Sequence, residues 1–173
     1  ESFVAGQQVA CQDPVNWTTW SNAPCSPTED AYVSTDFALS GVNSVKDEGV
    51  NDLVLYLGNK TTGSYEFDFS MYIPTDFCGY YNILQDFAGS SSTWGLEVYF
   101  HTDGSGIINA GGNSAAIFSY NHDLWIPIKN VIDLDNDQAE LYIDGNLIYT
   151  WQWSLGATGS AGINQLSAVD FFA

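Results

Sequence analysis

Apolar and polar residues alternate with a period of two along several stretches of the chain. From 65 to 73 every second residue is apolar, and the residues between them are mostly acidic or polar. The segments 94–101, 140–144 and 147–153 repeat this pattern. Because successive side chains of a strand point to opposite faces of a sheet, each segment predicts a strand with one buried face and one face in water.

Turn-forming residues separate these segments. Asp103-Gly104 and Asp144-Gly145 stand between apolar runs, as the turns of β-hairpins do. The stretch 6–29 is predicted to be mostly loop. Many short strands without helical periodicity predict an all-β fold, an antiparallel two-sheet β-sandwich of the jelly-roll type, with residues 1–173 as one domain. The predicted strands are 2–5, 30–35, 43–47, 52–58, 64–73, 79–87, 94–102, 106–110, 115–120, 124–134, 138–144, 147–153 and 167–172.

The charge of the chain narrows the range of its partners. There are 21 acidic residues against 3 lysines, and the formal net charge is −18. So few cations cannot form the phosphate-binding surface that nucleic acids require, and an anionic membrane surface would repel the chain. A cation or an uncharged, hydroxyl-rich ligand is favoured, although acids that only maintain solubility explain the same charge. No apolar run is long enough to cross a bilayer.

Three cysteines indicate the compartment in which the protein folds. Cys11 and Cys25 enclose a loop that contains tryptophan and proline, and we predict a disulfide between them; two buried thiols are the alternative. A disulfide is typical of exported proteins, so we expect a secreted or cell-surface location. Cys78 is left over, as a buried thiol or as a link to another chain. Since the sequence begins without methionine or a signal peptide, we expect a piece excised from a larger secreted protein.

The polar faces of the predicted strands carry carboxylates and tyrosines. If these strands are neighbours in a curved sheet, the shared face is a groove in which tyrosines stack on sugar rings and carboxylates accept hydrogen bonds from hydroxyls. The alternative is a solvated sheet face that binds nothing. The candidate ligand-binding residues are Glu66, Asp68, Tyr72, Tyr81, Gln85, Glu97, Tyr99, His101, Glu140 and Tyr142.

An acidic run at residues 131–144 allows two interpretations. Asp133, Asp135 and Asp137 have the spacing that opens a calcium-binding EF-hand loop, but Gln138 stands where that loop requires glycine. The last position of such a loop is occupied by Asp144 instead of glutamate. Strand-like alternation on both sides of the run favours a β-hairpin with an acidic turn.

Several segments of the chain resemble a known family. They are WTTWS at 17–21, EDAYVS at 29–34, NDLVLYLGNKTTG at 51–63, IDLDNDQAELYIDG at 132–145, WQWSLGA at 151–157 and NQLSAVDFFA at 164–173. Together they are similar to jelly-roll domains of secreted multidomain proteins from Bacteroidetes-type bacteria, which are related to concanavalin-like and laminin-G-like sandwiches and to carbohydrate-binding modules. This architecture carries sugar binders, protein binders and hydrolases alike, so the resemblance predicts the fold more firmly than the ligand.

The resemblance also implies a metal site. Carbohydrate-binding jelly rolls bring together an acidic residue on the first strand, a Ser-Gly-x-x-Ser segment and an acidic residue on the last strand, and these hold a structural calcium. This chain matches with Glu1, with the segment 40–44 and with Asp170. Calcium takes several oxygen ligands, and a strongly acidic chain gains from a bound divalent cation. The expected ligands are Glu1, Asn43 and Asp170, with Asp30 as an additional candidate.

These observations predict a secreted, non-catalytic binding or adhesion module that is stabilised by calcium and binds a polysaccharide or another glycan. Two alternatives stay open. One is a protein-interaction or structural accessory domain that binds the other domains of its parent protein. The other is a glycoside hydrolase with paired carboxylates, Glu97 with Glu140 or Glu66 with Asp68. The chain lacks the ExDxxE string of laminarinase-type jelly-roll glucanases, which favours a binding role.

Overall fold

Thirteen β-strands and one short α-helix make up the main regular structure of residues 2–160 and 162–172, which are the residues that the computed structural model describes. The helix α1 spans Val9–Gln12. The strands are β1 (Trp17–Thr19), β2 (Tyr32–Ser34), β3 (Ser44–Lys46), β4 (Asp52–Lys60), β5 (Ser64–Tyr72), β6 (Gly79–Asp86), β7 (Thr93–Phe100), β8 (Ser105–Asn109), β9 (Ala116–Ser119), β10 (Trp125–Asp133), β11 (Gln138–Ile143), β12 (Asn146–Gln152) and β13 (Leu166–Phe172).

Hydrogen bonding joins these strands into two large sheets and one small one. The seven-stranded sheet has the order β1-β4-β13-β6-β7-β8-β9, and the four-stranded sheet has the order β12-β11-β10-β5. Strands β2 and β3 form a separate pair. All of these pairings are antiparallel. The two large sheets share one core, so the predicted all-β antiparallel sandwich is confirmed.

The core lies between the two large sheets and follows from the period-two alternation. Tyr81, Ile83 and Leu96 point inward from the seven-stranded sheet, and Ile128 and Leu141 meet them from the four-stranded sheet. All five are essentially inaccessible to solvent. Burial of each such aliphatic side chain contributes roughly 1.5–3 kcal/mol relative to exposure. The alternate residues of the same strands therefore form the two outer faces of the sandwich.

A second, smaller core joins α1 and β2 to the β1–β4 end of the seven-stranded sheet. It is formed by Val9, Ala10, Ala31, Val33 and Leu53. The predictions for this region are partly wrong. The segment 2–5 contains no strand, and the predicted loop 6–29 contains α1 and the edge strand β1. These elements are too short to produce a periodic pattern in the sequence. Contacts with residues that are distant in sequence stabilise them instead.

Asp30 holds α1 and the segment around Cys25 together. Its fully buried carboxylate accepts hydrogen bonds from the backbone N–H groups of Ala10 (2.9 Å), Cys11 (2.9 Å) and Cys25 (3.2 Å). The predicted disulfide between Cys11 and Cys25 is confirmed, and it ties together the two segments that donate to Asp30. Both carboxylate oxygens already have backbone donors. These contacts give Asp30 a structural role in this segment, and its part in a metal site stays a prediction.

Cys78 lies in the turn between β5 and β6, where its thiol is free and exposed. The prediction of a buried thiol is wrong, because the chain reverses direction here and leaves the turn at the surface. The neighbouring Phe77 is also exposed.

Candidate functional site

The predicted ligand-binding residues fall on two different sheets. Those on the outer face of the four-stranded sheet are Glu66, Asp68, Tyr72, Glu140 and Tyr142. Those on the outer face of the seven-stranded sheet are Glu97 and Tyr99, with His101 exposed just beyond the end of β7. Because the core separates the two outer faces, these residues do not form one groove, and the predicted pairing of Glu97 with Glu140 is wrong.

Tyr81 and Gln85 are not at the surface. Both are fully buried, since they occupy inward positions of β6. The Tyr81 hydroxyl donates to the side-chain oxygen of Asn130 at 3.1 Å, and the Gln85 side-chain oxygen accepts the N–H of Ile163 at 2.8 Å. The prediction that they line a ligand groove is therefore wrong. They satisfy polar groups inside the sandwich instead.

A row of aromatic and apolar side chains crosses the outer face of the seven-stranded sheet, and we call it the transverse row. The register of five adjacent strands aligns Phe172, Tyr80, Tyr99, Ile107 and Ile117 on β13, β6, β7, β8 and β9. Phe172 is 44% and Ile117 is 79% exposed, and the other three are half-buried. With strands about 4.8 Å apart, the row is roughly 19 Å long.

Glu97 lies beside the transverse row and holds its central tyrosines. Its carboxylate accepts hydrogen bonds from the hydroxyls of Tyr80 (3.1 Å) and Tyr99 (2.8 Å) and from the side-chain amide of Asn109 (2.9 Å). The two tyrosine ring centres are 4.8 Å apart. Burial, together with the Glu97 carboxylate, raises the pKa of Tyr99 to about 12, so its hydroxyl remains a donor at neutral pH. These hydrogen bonds hold both rings in place.

The outer face of the four-stranded sheet is built from charged pairs. The Lys129 ammonium lies 3.9 Å from the Glu66 carboxylate and 4.5 Å from the centre of the Tyr142 ring. The Tyr142 hydroxyl donates to Glu140 at 2.6 Å. The cross-strand contacts of Lys129 and the Tyr142–Glu140 hydrogen bond within β11 are typical of a solvated sheet surface.

Tyr72 lies at one end of this face, within an aromatic group. Its ring stacks on Phe37 with 4.3 Å between ring centres and contacts Trp125 at 5.5 Å. Because Phe37 covers a face of the Tyr72 ring, that face is not open to a ligand.

A cluster of acids lies next to Glu97 on the seven-stranded sheet. We define the acid cluster as Asp47, Asp52, Asn82 and Asp170. Asp170 and Asn82 are paired in the register of β13 and β6, and Asn82 pairs in turn with Glu97 of β7. Both are buried, with 3% and 1% of their surface exposed, and the Asn82 amide donates to an Asp170 oxygen at 2.6 Å.

Burial raises the pKa values of the three carboxyl groups of the acid cluster, and their neighbours shift these values further. Burial and then the neighbouring Asp170 raise the pKa of Asp52 to about 8. Burial and then Asp52 raise the pKa of Asp47 to about 7. Burial is also the main cause that raises the pKa of Asp170. All three carboxyl groups are therefore poorly solvated.

Of the three expected calcium ligands, the structure describes Asn43 and Asp170. Asn43 donates its side-chain amide to the backbone oxygen of Phe3 at 3.1 Å, and Glu1 lies outside the described residues. Asp170 belongs to the acid cluster. In the described part of the chain, no group of three or more Asp, Glu, His or Cys side chains is arranged as a ready metal cage.

Asp47, Asp52 and Asn82 were not predicted from the sequence. The available signal is a polar residue inside an apolar strand, which describes Asn82 in YYNIL as well as Asp170 in AVDFF. Asp47 carries no such signal, since it precedes β4 in an irregular segment.

The acidic run forms the turn between β10 and β11, as predicted. Asp133 accepts the side-chain amide of Asn136 at 2.8 Å, and Asp135 accepts the N–H of Gly63 at 2.8 Å. Asp137 accepts the N–H of Ser154 at 2.7 Å. These carboxylates hold the hairpin and its neighbours together.

Comparison with known proteins shows the fold. The chain is similar to a sialidase structure at 14% identity and a TM-score of 0.56, over 96% of this chain and 14% of that one. It is similar to the potassium-bound Emp46p carbohydrate recognition domain at 12% identity and a TM-score of 0.52, over 96% and 86% of the two chains. Alginate lyase A1-II′ of polysaccharide lyase family 7 matches at 10% identity and a TM-score of 0.50, over 83% and 70%.

These likenesses confirm the fold, a jelly-roll β-sandwich. The chain spans about a seventh of the length of the sialidase. No protein-family model and no curated protein sequence matches it. Among the helices of residues 2–160 and 162–172, none has the length and apolar character that a bilayer crossing requires.

Proposed function

We propose that this chain is a glycan-binding module that binds an uncharged, linear glycan along the transverse row. The observation that carries the proposal is the row itself, in which aromatic and apolar side chains from five strands line up beside the hydrogen-bonding groups of Glu97 and Asn109. Sugar rings present apolar faces and polar edges, and a surface with both features side by side complements them. A length of roughly 19 Å suits a chain of several sugar rings better than a single one.

The charges around the row support an uncharged ligand. The three lysines of the chain, Lys46, Lys60 and Lys129, lie on β3, β4 and β10, whereas the transverse row lies on β13 and β6 to β9. Glu97 and the acid cluster border the row on the same face. A uronic acid or a sulfated sugar would therefore meet like charge with no cation to offset it.

The named structural neighbours give independent support. The Emp46p domain is a carbohydrate recognition domain, and the alginate lyase and the sialidase bear the names of carbohydrate-active proteins. The disulfide suits an oxidising compartment, so we place the module outside the cytoplasm, at the cell surface or secreted.

The test is a binding screen of neutral and acidic oligosaccharides by calorimetry, with two matched variants. Tyr99→Ala removes the centre of the transverse row, and Tyr142→Ala removes a tyrosine from the other outer face. The pair is matched because each hydroxyl donates to a glutamate two residues earlier, at 2.8 Å to Glu97 and at 2.6 Å to Glu140. We expect Tyr99→Ala to weaken binding at least tenfold, about 1.4 kcal/mol, and Tyr142→Ala to change affinity less than twofold.

The possible results separate the alternatives. Wild-type protein that binds no glycan overturns the proposal and favours a protein-interaction module. Binding that Tyr142→Ala abolishes and Tyr99→Ala retains moves the site to the four-stranded sheet. Release of reducing ends from a bound oligosaccharide would identify a hydrolase. Melting temperatures of both variants show whether each protein is folded.

A further inference from the structure

We infer that the free edge of β5 binds an extended peptide segment, which adds to the four-stranded sheet as a fifth strand and carries basic residues on its outward side. This site is independent of the glycan proposal, because the transverse row lies on the other sheet. The inference rests on an unpaired strand edge, on a strip of apolar side chains beside it and on the charge of its outward face.

The free edge of β5 is long and carries none of the usual protection. All nine residues of the strand, Ser64–Tyr72, pair with β10 in an unbroken register. Among residues 2–160 and 162–172, β10 is the only strand that pairs with it. β5 contains no proline and no lysine, the residues that commonly prevent a free edge from pairing. The backbone N–H and C=O groups on its other side are therefore available to another strand.

The other edges of the two large sheets are different. β1 spans three residues and β9 spans four. β12 is longer, but its pairing with β11 contains an irregularity, and β9 of the opposite sheet lies next to it. Short strands, bulges and covered edges are the usual means by which proteins avoid pairing with another chain. β5 has none of these features.

A strip of half-buried apolar side chains lies beside this edge, and we call it the open seam. Its residues are Leu57 of β4, Tyr65, Phe67 and Phe69 of β5, and Phe171 of β13. The residues that pair with Phe69 and Tyr65 on β10 are Ile128 and Ile132, and each of these is only 1% exposed. The inward side chains thus become accessible at β5, where the four-stranded sheet ends.

The difference in sheet width explains the open seam. The seven-stranded sheet continues past β6 with β13, β4 and β1, whereas the four-stranded sheet ends at β5. The ring centres of Phe69 and Phe171 are 5.3 Å apart, so β5 faces β13. α1 and β2 cover β4 at Leu53, but Leu57, farther along the same strand, stays half-buried. A strand added to β5 at the usual spacing of about 4.8 Å would lie over β4 and bury the open seam.

The outward face of β5 determines the charge of the partner. Glu66 and Asp68 are exposed there. Lys129 lies 3.9 Å from Glu66, and Asp68 has no ion-pair partner among the described residues. Residues opposite each other on one face of a strand pair are about 5 Å apart, so lysine or arginine on the added strand would face these acids.

A second copy of the chain fits this edge poorly. It would bring its own Glu66 and Asp68 to the same face, and each copy carries a net charge of −18. The partner that fits is a segment in which apolar residues alternate with basic ones. Its main chain pairs with β5, its apolar side chains fill the open seam, and its basic side chains face the acids. In such strand addition, main-chain hydrogen bonds give affinity and alternate side chains give specificity.

The test uses the wild-type protein and a blocked peptide that matches β5 in length, in which valine alternates with lysine. Calorimetry at physiological salt should show saturable one-to-one binding. A matched peptide with glutamate in place of lysine should bind at least tenfold more weakly. Hydrogen exchange measured by mass spectrometry gives a second readout. Amides of residues 64–72 should exchange more slowly when the lysine peptide is bound, because the N–H groups of the free edge gain acceptors.

Two charge reversals locate the bound peptide. Asp68→Lys should weaken binding of the lysine peptide at least fivefold and strengthen binding of the glutamate peptide. Glu140→Lys is the matched control, because it makes the same change of sign on the same outer face. Its strand, β11, lies two strands from β5, so residue 140 is roughly 14 Å from the added strand, beyond the Debye length of about 8 Å. The control should bind the lysine peptide within twofold of wild type.

Three results overturn the inference. Wild-type protein that binds neither peptide would mean that the edge does not accept a strand. Binding of the lysine peptide without slower exchange in residues 64–72 would mean that charge alone attracts it. A dimer in analytical ultracentrifugation, with slow exchange in residues 64–72 before any peptide is added, would make a second copy the occupant.

Discussion

Asp30 and Asp170 are both buried carboxylates, at 0% and 3% exposure, and they are held in opposite ways. Three backbone N–H groups donate to the two oxygens of Asp30. Asp170 accepts the Asn82 amide on one oxygen, and its other oxygen has no hydrogen-bond partner among the described residues. The difference teaches that burial alone does not identify a functional acid. A carboxylate whose oxygens already accept hydrogen bonds is structural, whereas one with free acceptor positions is a candidate ligand.

The largest change in the free energy of unfolding is expected for a substitution of Asp30. Asp30→Asn places an amide hydrogen against backbone donors, so the free energy of unfolding should fall by about 4 kcal/mol. The loss should be the same in calcium and in chelator, and urea denaturation measures both. A loss that appears only in calcium would show that Asp30 belongs to a metal site after all.

The disulfide should have the next largest effect. Replacement of Cys11 and Cys25 by serine removes the constraint on a loop that spans a separation of 14 residues, and the free energy of unfolding should fall by about 3 kcal/mol. Cys11 and Cys25 also donate their N–H groups to Asp30. The triple variant with Asp30→Asn should therefore lose less than the sum of the two changes. Strict additivity in that cycle would mean that the disulfide and the carboxylate act separately.

The smallest expected change in the free energy of unfolding is an increase instead of a decrease. In chelator, Asp170→Asn should leave the protein unchanged or raise its free energy of unfolding by about 1 kcal/mol, because it removes one like charge from the acid cluster and adds a donor. Thermal unfolding in chelator measures the change. A clear loss of stability would show that Asp170 is satisfied as Asp30 is, and the contrast between the two sites would disappear.

The alternation of apolar and polar residues predicted the strands well, because it depends only on residues within one strand. The alternation in 65–73 correctly separates the inward Phe67 and Phe69 from the outward Glu66 and Asp68. It carries no information on which strands are neighbours. Glu97 and Glu140 both lie on outward faces of their strands, yet β7 and β11 belong to different sheets.

The candidate sites depend on which strands are neighbours, and the alternation within a strand does not show this. The transverse row is visible only when the register of five strands is known, and the acid cluster joins residues 47, 52, 82 and 170. The cysteine pair was predictable because its two members lie close in sequence and enclose a short loop. The structural role of Asp30 was not predictable, because its partners are backbone N–H groups, which no residue type reveals.

The position of β13 has a consequence for the order in which the molecule can assemble. This strand is the last in chain order, yet it lies between β4 and β6 near the middle of the seven-stranded sheet. Strands β4 and β6 do not pair with each other. Each can complete its hydrogen bonds on this side only when β13 is present. The sheet is therefore divided until residues 166–172 are available, and the pairing that closes it joins segments about a hundred residues apart. Refolding should be slow and nearly all-or-none, and a ribosome-bound chain that ends before β13 should remain open to proteases.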